Sequence, residues 1–259
     1  MIYTPTGNLA SPQNRDQLSA LLCNLAYMDS LRKTKLESFH LFEDPSIYEL
    51  ARVERITLQE RPDNFPMDIM EWGYISGIIA IDFMNQFPVI KNLEAQDREI
   101  VFRNCYFHLS LLSDSMRAAN LKRDFICFPD GTEVVQLNSD GITKYFETLI
   151  RCRLAGRANE LRVTKEEIML LSLILMCNPA LKNLSPPAKT QLSDYQKIYT
   201  SALMQYCLLT YQASGPSRFT DLLSLFSVVR KTRENISHHF VICGMKGPPV
   251  VPLKRLFWQ

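Results

Sequence analysis

Residues 83 to 98, Phe-Met-Asn-Gln-Phe-Pro-Val-Ile-Lys-Asn-Leu-Glu-Ala-Gln-Asp-Arg, constrain this chain more than any other stretch. An apolar helical pattern in which Trp72, Ile75, Ile79 and Phe83 share a face runs into Pro88, and a second helical pattern opens directly behind it. Pro88 has no N–H and biases Phe87 away from helical angles, so one helix must stop here and the next must leave at an angle.

The rest of the pattern agrees. Only 9 glycines occur in 259 residues, alternation of strand type is rare, and apolar residues recur at three- and four-residue spacing, which predicts a mostly helical chain. Leu18, Leu21, Leu22, Leu25 and Met28 form one stripe behind Asp16, a first helix preceded by a flexible segment over residues 1–14. Pro45, Pro62 and Pro66 punctuate residues 40–66, read as a mobile loop. Helices are predicted near 67–87, 95–119, 140–157, 164–177, 186–212 and 217–241. Tyr106, Leu109, Leu112 and Met116 mark the second of these as central and buried. Thr164-Lys-Glu-Glu167 is a capping box that opens the fourth. Gly215-Pro216 is read as a break before the last long helix, and Leu253 to Trp258 as a short final apolar segment. The strand signal is Phe125 to Val134, where Pro129-Asp130-Gly131 supplies a turn between two short runs.

Composition excludes several functions. A net charge of +2 leaves no global footprint for nucleic acid, and the clusters Arg151/Arg153/Arg157 and Arg230/Lys231/Arg233 read as solvated helix faces. Seven scattered cysteines without C-x-x-C spacing fit reduced thiols in an intracellular compartment, not a disulfide frame or a zinc module. No apolar run reaches the roughly 18 residues of a membrane span, and the N-terminus lacks the pattern of a signal peptide. His40, His108, His238 and His239 fall in no catalytic motif, and no phosphate-binding glycine loop occurs, so neither enzyme activity nor a cofactor or metal is expected.

Phe83, Pro88, Ile90, Leu93 and Asp97 hold the places of the signature of nuclear-receptor ligand-binding domains, with Arg98 departing from the usual Gln or Lys. Glu167 to Pro179 resembles the eighth helix of that family and Ser217 to Leu223 the start of its tenth, so the resemblance covers about residues 15–259. It is closest to the nematode expansion of receptors related to hepatocyte nuclear factor 4. The resemblance implies an all-α layered helical sandwich of about ten helices with one small β-hairpin, acting in the nucleus on transcription. It implies either a sensor of a lipophilic ligand such as a fatty acid or, alternatively, a ligand-independent interaction or dimerisation module. The family's zinc-bearing DNA-binding module is absent from these residues, so no direct DNA binding by this chain is expected.

Residue roles follow from the resemblance as well. Glu167 and Arg218 match a structural ion pair. Arg117 matches the arginine that holds a ligand carboxylate in related receptors, with Ile75, Ile79, Phe83 and Leu112 as apolar wall; its other reading is a helix-end residue that bonds hairpin carbonyls. The coactivator surface falls on Asn85, Arg103, Leu253, Arg255, Leu256 and Phe257. Asn85 and Arg255 stand where activating members carry Lys and Glu, so coregulators with an LxxLL helix are expected to bind weakly. A receptor dimer partner is implied without being identified.

Overall fold

The computed structural model describes residues 11–135, 144–245 and 254–257. Helix α1 spans Pro12–Ser38, with Ser11 as N-cap and Pro12 supplying the preset φ of the first turn. It therefore starts two residues before the predicted end of the flexible segment; residues 1–10 lie outside the described residues. The corner at Pro88 forms as expected. Helix α3 (Ile69–Met84) ends at Asn85, Phe87 is extended at φ −90° and ψ 130°, and the single turn α4 (Pro88–Lys91) leads into α5 (Ala95–Asn120). Phe83 and Phe87 meet edge to face with centroids 5.1 Å apart, filling the inside of the bend.

Residues 40–66 are not a loose loop. Strand β1 (Phe39–His40) pairs antiparallel with β2 (Gln59–Glu60), and between them α2 (Ile47–Leu50) is capped at both orphan amides by Ser46 and Glu49. Ile47, Leu50 and Ala51 are buried in the main core, which fixes the excursion. A four-residue helix is too short to show periodicity, so the prolines alone suggested mobility.

The strand signal at 125–134 is correct as a turn and short as a sheet. Gly131 takes φ 88° and a single bridge joins Cys127 to Glu133, while the two-stranded sheet lies at β1 and β2. The turn is pinned from the side: Trp72 donates its indole N–H to Asp130 at 2.8 Å and stacks on Phe128.

Helices α6 (Lys144–Glu160), α7 (Lys165–Met176), α8 (Pro186–Tyr211) and α9 (Gly215–Met245) complete the body. The break before α9 falls at Gln212, in the left-handed region at φ 49°, and Gly215 already belongs to the helix. Helix α5 lies between α3 on one side and α6 and α9 on the other, with α7 packed on it. Val101, Phe102, Cys105, Tyr106, Leu109 and Leu112 are accordingly all buried. Asp97, in its first turn, accepts from the amide of Ser185 at 2.8 Å and its hydroxyl at 2.6 Å, tying the start of α5 to the N-cap of α8. The all-α layered expectation with one small antiparallel sheet is borne out.

Candidate functional site

Arg117 sits in the last turn of α5, where the backbone ends at Asn120 and the chain folds back toward the turn at 129–131. Its Nη1 donates to Asp114 Oδ1 at 2.7 Å and to the carbonyl of Cys127 at 2.7 Å. Asp114 is 4% exposed. Burial pushes its carboxyl up from the ordinary range, and the Arg117 guanidinium works against that shift. Of the two readings of Arg117, the bond to a carbonyl of the turn is formed. The role as carboxylate anchor meets an obstacle: an incoming carboxylate would share the guanidinium with Asp114, like charge beside like charge.

The intended apolar wall lines no cavity. Ile75 and Leu112 are 0% exposed and Ile79 and Phe83 2%, and all four belong to one continuous core cluster. A side chain facing a chamber big enough for a ligand keeps surface that a water-sized sphere can touch. These keep essentially none.

What reaches the α3–α5 junction is the chain's own end. Residues 255–257 form a 3₁₀ turn, and Leu256 is 0% exposed. Gly73 and Gly77, four apart on α3, make its seat. A Cβ on Gly77 would lie 2.7 Å from Leu256 Cδ2 and 3.1 Å from the Tyr106 ring, and one on Gly73 would lie 3.6 Å from Phe257. Glycine in a helix interior costs roughly 1 kcal/mol relative to alanine, so a pair on one face is explained by what packs there. Burying a leucine returns about 1.5–3 kcal/mol. Polar contacts fasten both sides of the turn. Tyr106 donates to the Leu256 carbonyl at 3.5 Å, Lys254 pairs with Glu71 at 3.1 Å beside the Tyr74 ring, and Glu71 also meets buried His40 at 3.0 Å. The Arg255 amide donates to Asp44 at 2.9 Å and its guanidinium pairs with Glu49 at 3.0 Å.

The expected coactivator surface is rearranged by these contacts. Asn85 is 5% exposed, and neither its Oδ1 nor its Nδ2 has a hydrogen-bond partner. An amide enclosed this way does not present itself to a peptide, contrary to its sequence assignment. Arg103 remains on the surface and pairs with Glu99 at 3.1 Å. Arg255 turns to Asp44 and Glu49, Leu256 is inside, Phe257 is half-buried, and Leu253 lies outside the described residues. Sequence reading missed Gly73, Gly77, Glu71, Asp44 and Glu49; the helical glycine pair was the available signal.

Glu167 and Arg218 are brought together. Arg218 Nε and Nη2 reach the two carboxylate oxygens at 2.8 and 2.5 Å, with Glu167 0% exposed. Arg218 Nη1 also donates to the Leu161 carbonyl at 2.5 Å, and hydrogen bonding to Glu167 raises the pKa of the guanidinium further. Arg151 and Arg157, read as solvated, instead bridge elements: Arg151 to Glu133 at 2.6 Å, Arg157 to Ser224 at 3.5 Å. Among the described residues no group of three or more His, Cys, Asp or Glu is placed to hold a metal ion, and no helix is long and apolar enough to cross a membrane.

Comparison with known proteins agrees with the corner at Pro88 and the layered helices. The family described as the ligand-binding domain of nuclear hormone receptor matches residues 62–246. Nuclear hormone receptor family member nhr-167 of Caenorhabditis elegans is 36% identical over 257 residues, 97% of this chain and 75% of that protein. The family members nhr-27 and nhr-9 of the same organism are 33% and 32% identical, covering 91% and 93% of this chain and 67% and 72% of theirs. The chain therefore belongs to the nuclear hormone receptor family and is a ligand-binding domain of that family.

Proposed function

We propose that this domain regulates transcription in the nucleus from a state set by its own packing, without a fatty-acid ligand beneath Arg117. The observation that carries the reading is Leu256, wholly buried over Gly77 and Tyr106 at the α3–α5 junction. The Asp114–Arg117 pair and the filled wall of Ile75, Ile79, Phe83 and Leu112 support it. A ligand shifts a conformational equilibrium only through its different affinity for the two states. With the seat filled from within, the resting equilibrium already favours the docked end. The domain is then a non-enzymatic interaction module whose partners are coregulator proteins and a dimerising receptor.

Native mass spectrometry of the chain purified from cells tests this. The expected result is the mass of the polypeptide alone. A lipid acid that co-purifies with the wild type and is lost from Arg117→Ala would overturn the proposal and restore the sensor reading.

A further inference from the structure

The seat that holds the chain's end receives residues 254–257, and each of them meets its own partner. Glu71 takes the ammonium of Lys254 at 3.1 Å, while Asp44 and Glu49 take the backbone amide and the guanidinium of Arg255 at 2.9 and 3.0 Å. Leu256 fills the hollow over Gly77 and Tyr106, and Phe257 lies beside Gly73. The hollow is apolar and its rim is acidic.

The rim contacts stay open to water. The side chains of Lys254 and Glu71 keep 26% and 20% of their surface, and those of Arg255 and Glu49 keep 53% and 47%. Ion pairs this exposed hold a segment only weakly. They select it instead, because an acidic segment laid along the same rim would set like charge against like. Glu71 and the pair Asp44 and Glu49 thus read two consecutive basic residues, and the glycine hollow reads the leucine that follows them.

Beside the rim lies apolar surface that the docked end leaves uncovered. Phe42 is 42% exposed and Tyr48 53%, on the same excursion that carries Asp44 and Glu49. The Arg52 guanidinium sits 3.3 Å from the centre of the Tyr48 ring. Residues 246–253 join the end to α9. A segment tethered over so short a stretch meets its seat at an effective concentration on the order of 1 mM. A competitor at lower concentration prevails only by making further contacts, and Phe42 and Tyr48 provide a place for them.

We infer that this seat is a docking site for a partner protein, recognised through a segment of two consecutive basic residues, a leucine and an aromatic residue, which displaces the chain's own end as it binds. The inference rests on the docked end of the proposed function and names the class of coregulator segment that competes with it.

Anisotropy of a labelled peptide of residues 252–259 tests the site on full-length chains. Leu256→Ser, which empties the hollow, should bind the peptide with a Kd below about 1 mM, and the wild type should bind it at least about tenfold more weakly because its own end competes. Arg255→Glu in the peptide should weaken binding by about fivefold, and Glu49→Lys in the chain should close that gap. From a random peptide display library, Leu256→Ser should enrich segments with two basic residues ahead of Leu and an aromatic. No binding at about 1 mM, equal affinity for the two peptides, or enrichment of acidic or LxxLL segments instead would each overturn the assignment. Should Leu256→Ser fail to fold, the full chain carrying Lys254→Glu and Arg255→Glu, both at partly exposed positions, takes its place with the same expected results. A retained lipid in native mass spectrometry would remove the ligand-free reading and leave these titrations standing, whereas a lipid-free chain that ignores the peptide removes this inference alone.

Discussion

Replacing Arg218 with methionine removes the cation and keeps most of the side-chain volume, which isolates the ion pair from packing. Glu167, 0% exposed, would lose both guanidinium donors and keep the Thr164 amide at 2.8 Å on Oε2 and the neighbouring Tyr211 hydroxyl, while the Leu161 carbonyl would lose a 2.5 Å bond. Leaving a buried carboxylate uncompensated costs about 3–5 kcal/mol. At roughly 2–4 °C per kcal/mol for a domain of this size, the midpoint should fall by about 6–20 °C. Glu167→Gln combined with Arg218→Met should be less damaging than Arg218→Met alone, because a neutral amide is cheaper to bury than an unpaired charge. Urea unfolding followed by circular dichroism on the two single variants, the double variant and the wild type gives the coupling directly. A loss under about 1 kcal/mol for Arg218→Met would match an exposed pair and refute the reasoning, as would strictly additive single effects.

Gly77→Val should expel the chain's end, since even a Cβ there would press on Leu256 and Tyr106. Limited trypsin digestion should then cut faster at Lys254 and Arg255, and an unchanged rate would argue against the seat. For His108, whose folded pKa of about 4 lies below the ordinary 6.5, the unfolded chain binds more protons between those values. Its contribution to stability is thus full above pH 6.5 and is lost as pH falls toward 4, by up to about 3 kcal/mol. His108→Gln should show a flatter stability profile over that window than the wild type, and parallel profiles would contradict the burial argument. A labelled LxxLL peptide followed by anisotropy should bind more weakly than low micromolar, given that Asn85 is enclosed and Arg255 is held by Glu49 and Asp44. Tight binding that disappears on deletion of residues 252–259 would show that the end of the chain recruits coactivator after all.

Local chemistry made a large part of this molecule legible in the sequence. Pro88 ends one helix because it has no amide hydrogen, Thr164 and Glu167 cap α7 reciprocally at 3.3 and 2.8 Å, and Gly131 takes the positive φ that the turn requires. Each is an interaction within four residues, written in residue type and spacing alone. Asp114 and Arg117 are also only three apart, yet whether the arginine would turn to that carboxylate or into an open interior depended on how α3 and the turn at 129–131 filled the space around it. The register of β1 on β2, the bond from Asp97 to Ser185 and the descent of Leu256 onto Gly77 were decided by tertiary structure. In these contacts the partners are separated by about twenty to nearly two hundred residues, and which groups meet is fixed by helix packing angles and by the volume left between α3 and α5.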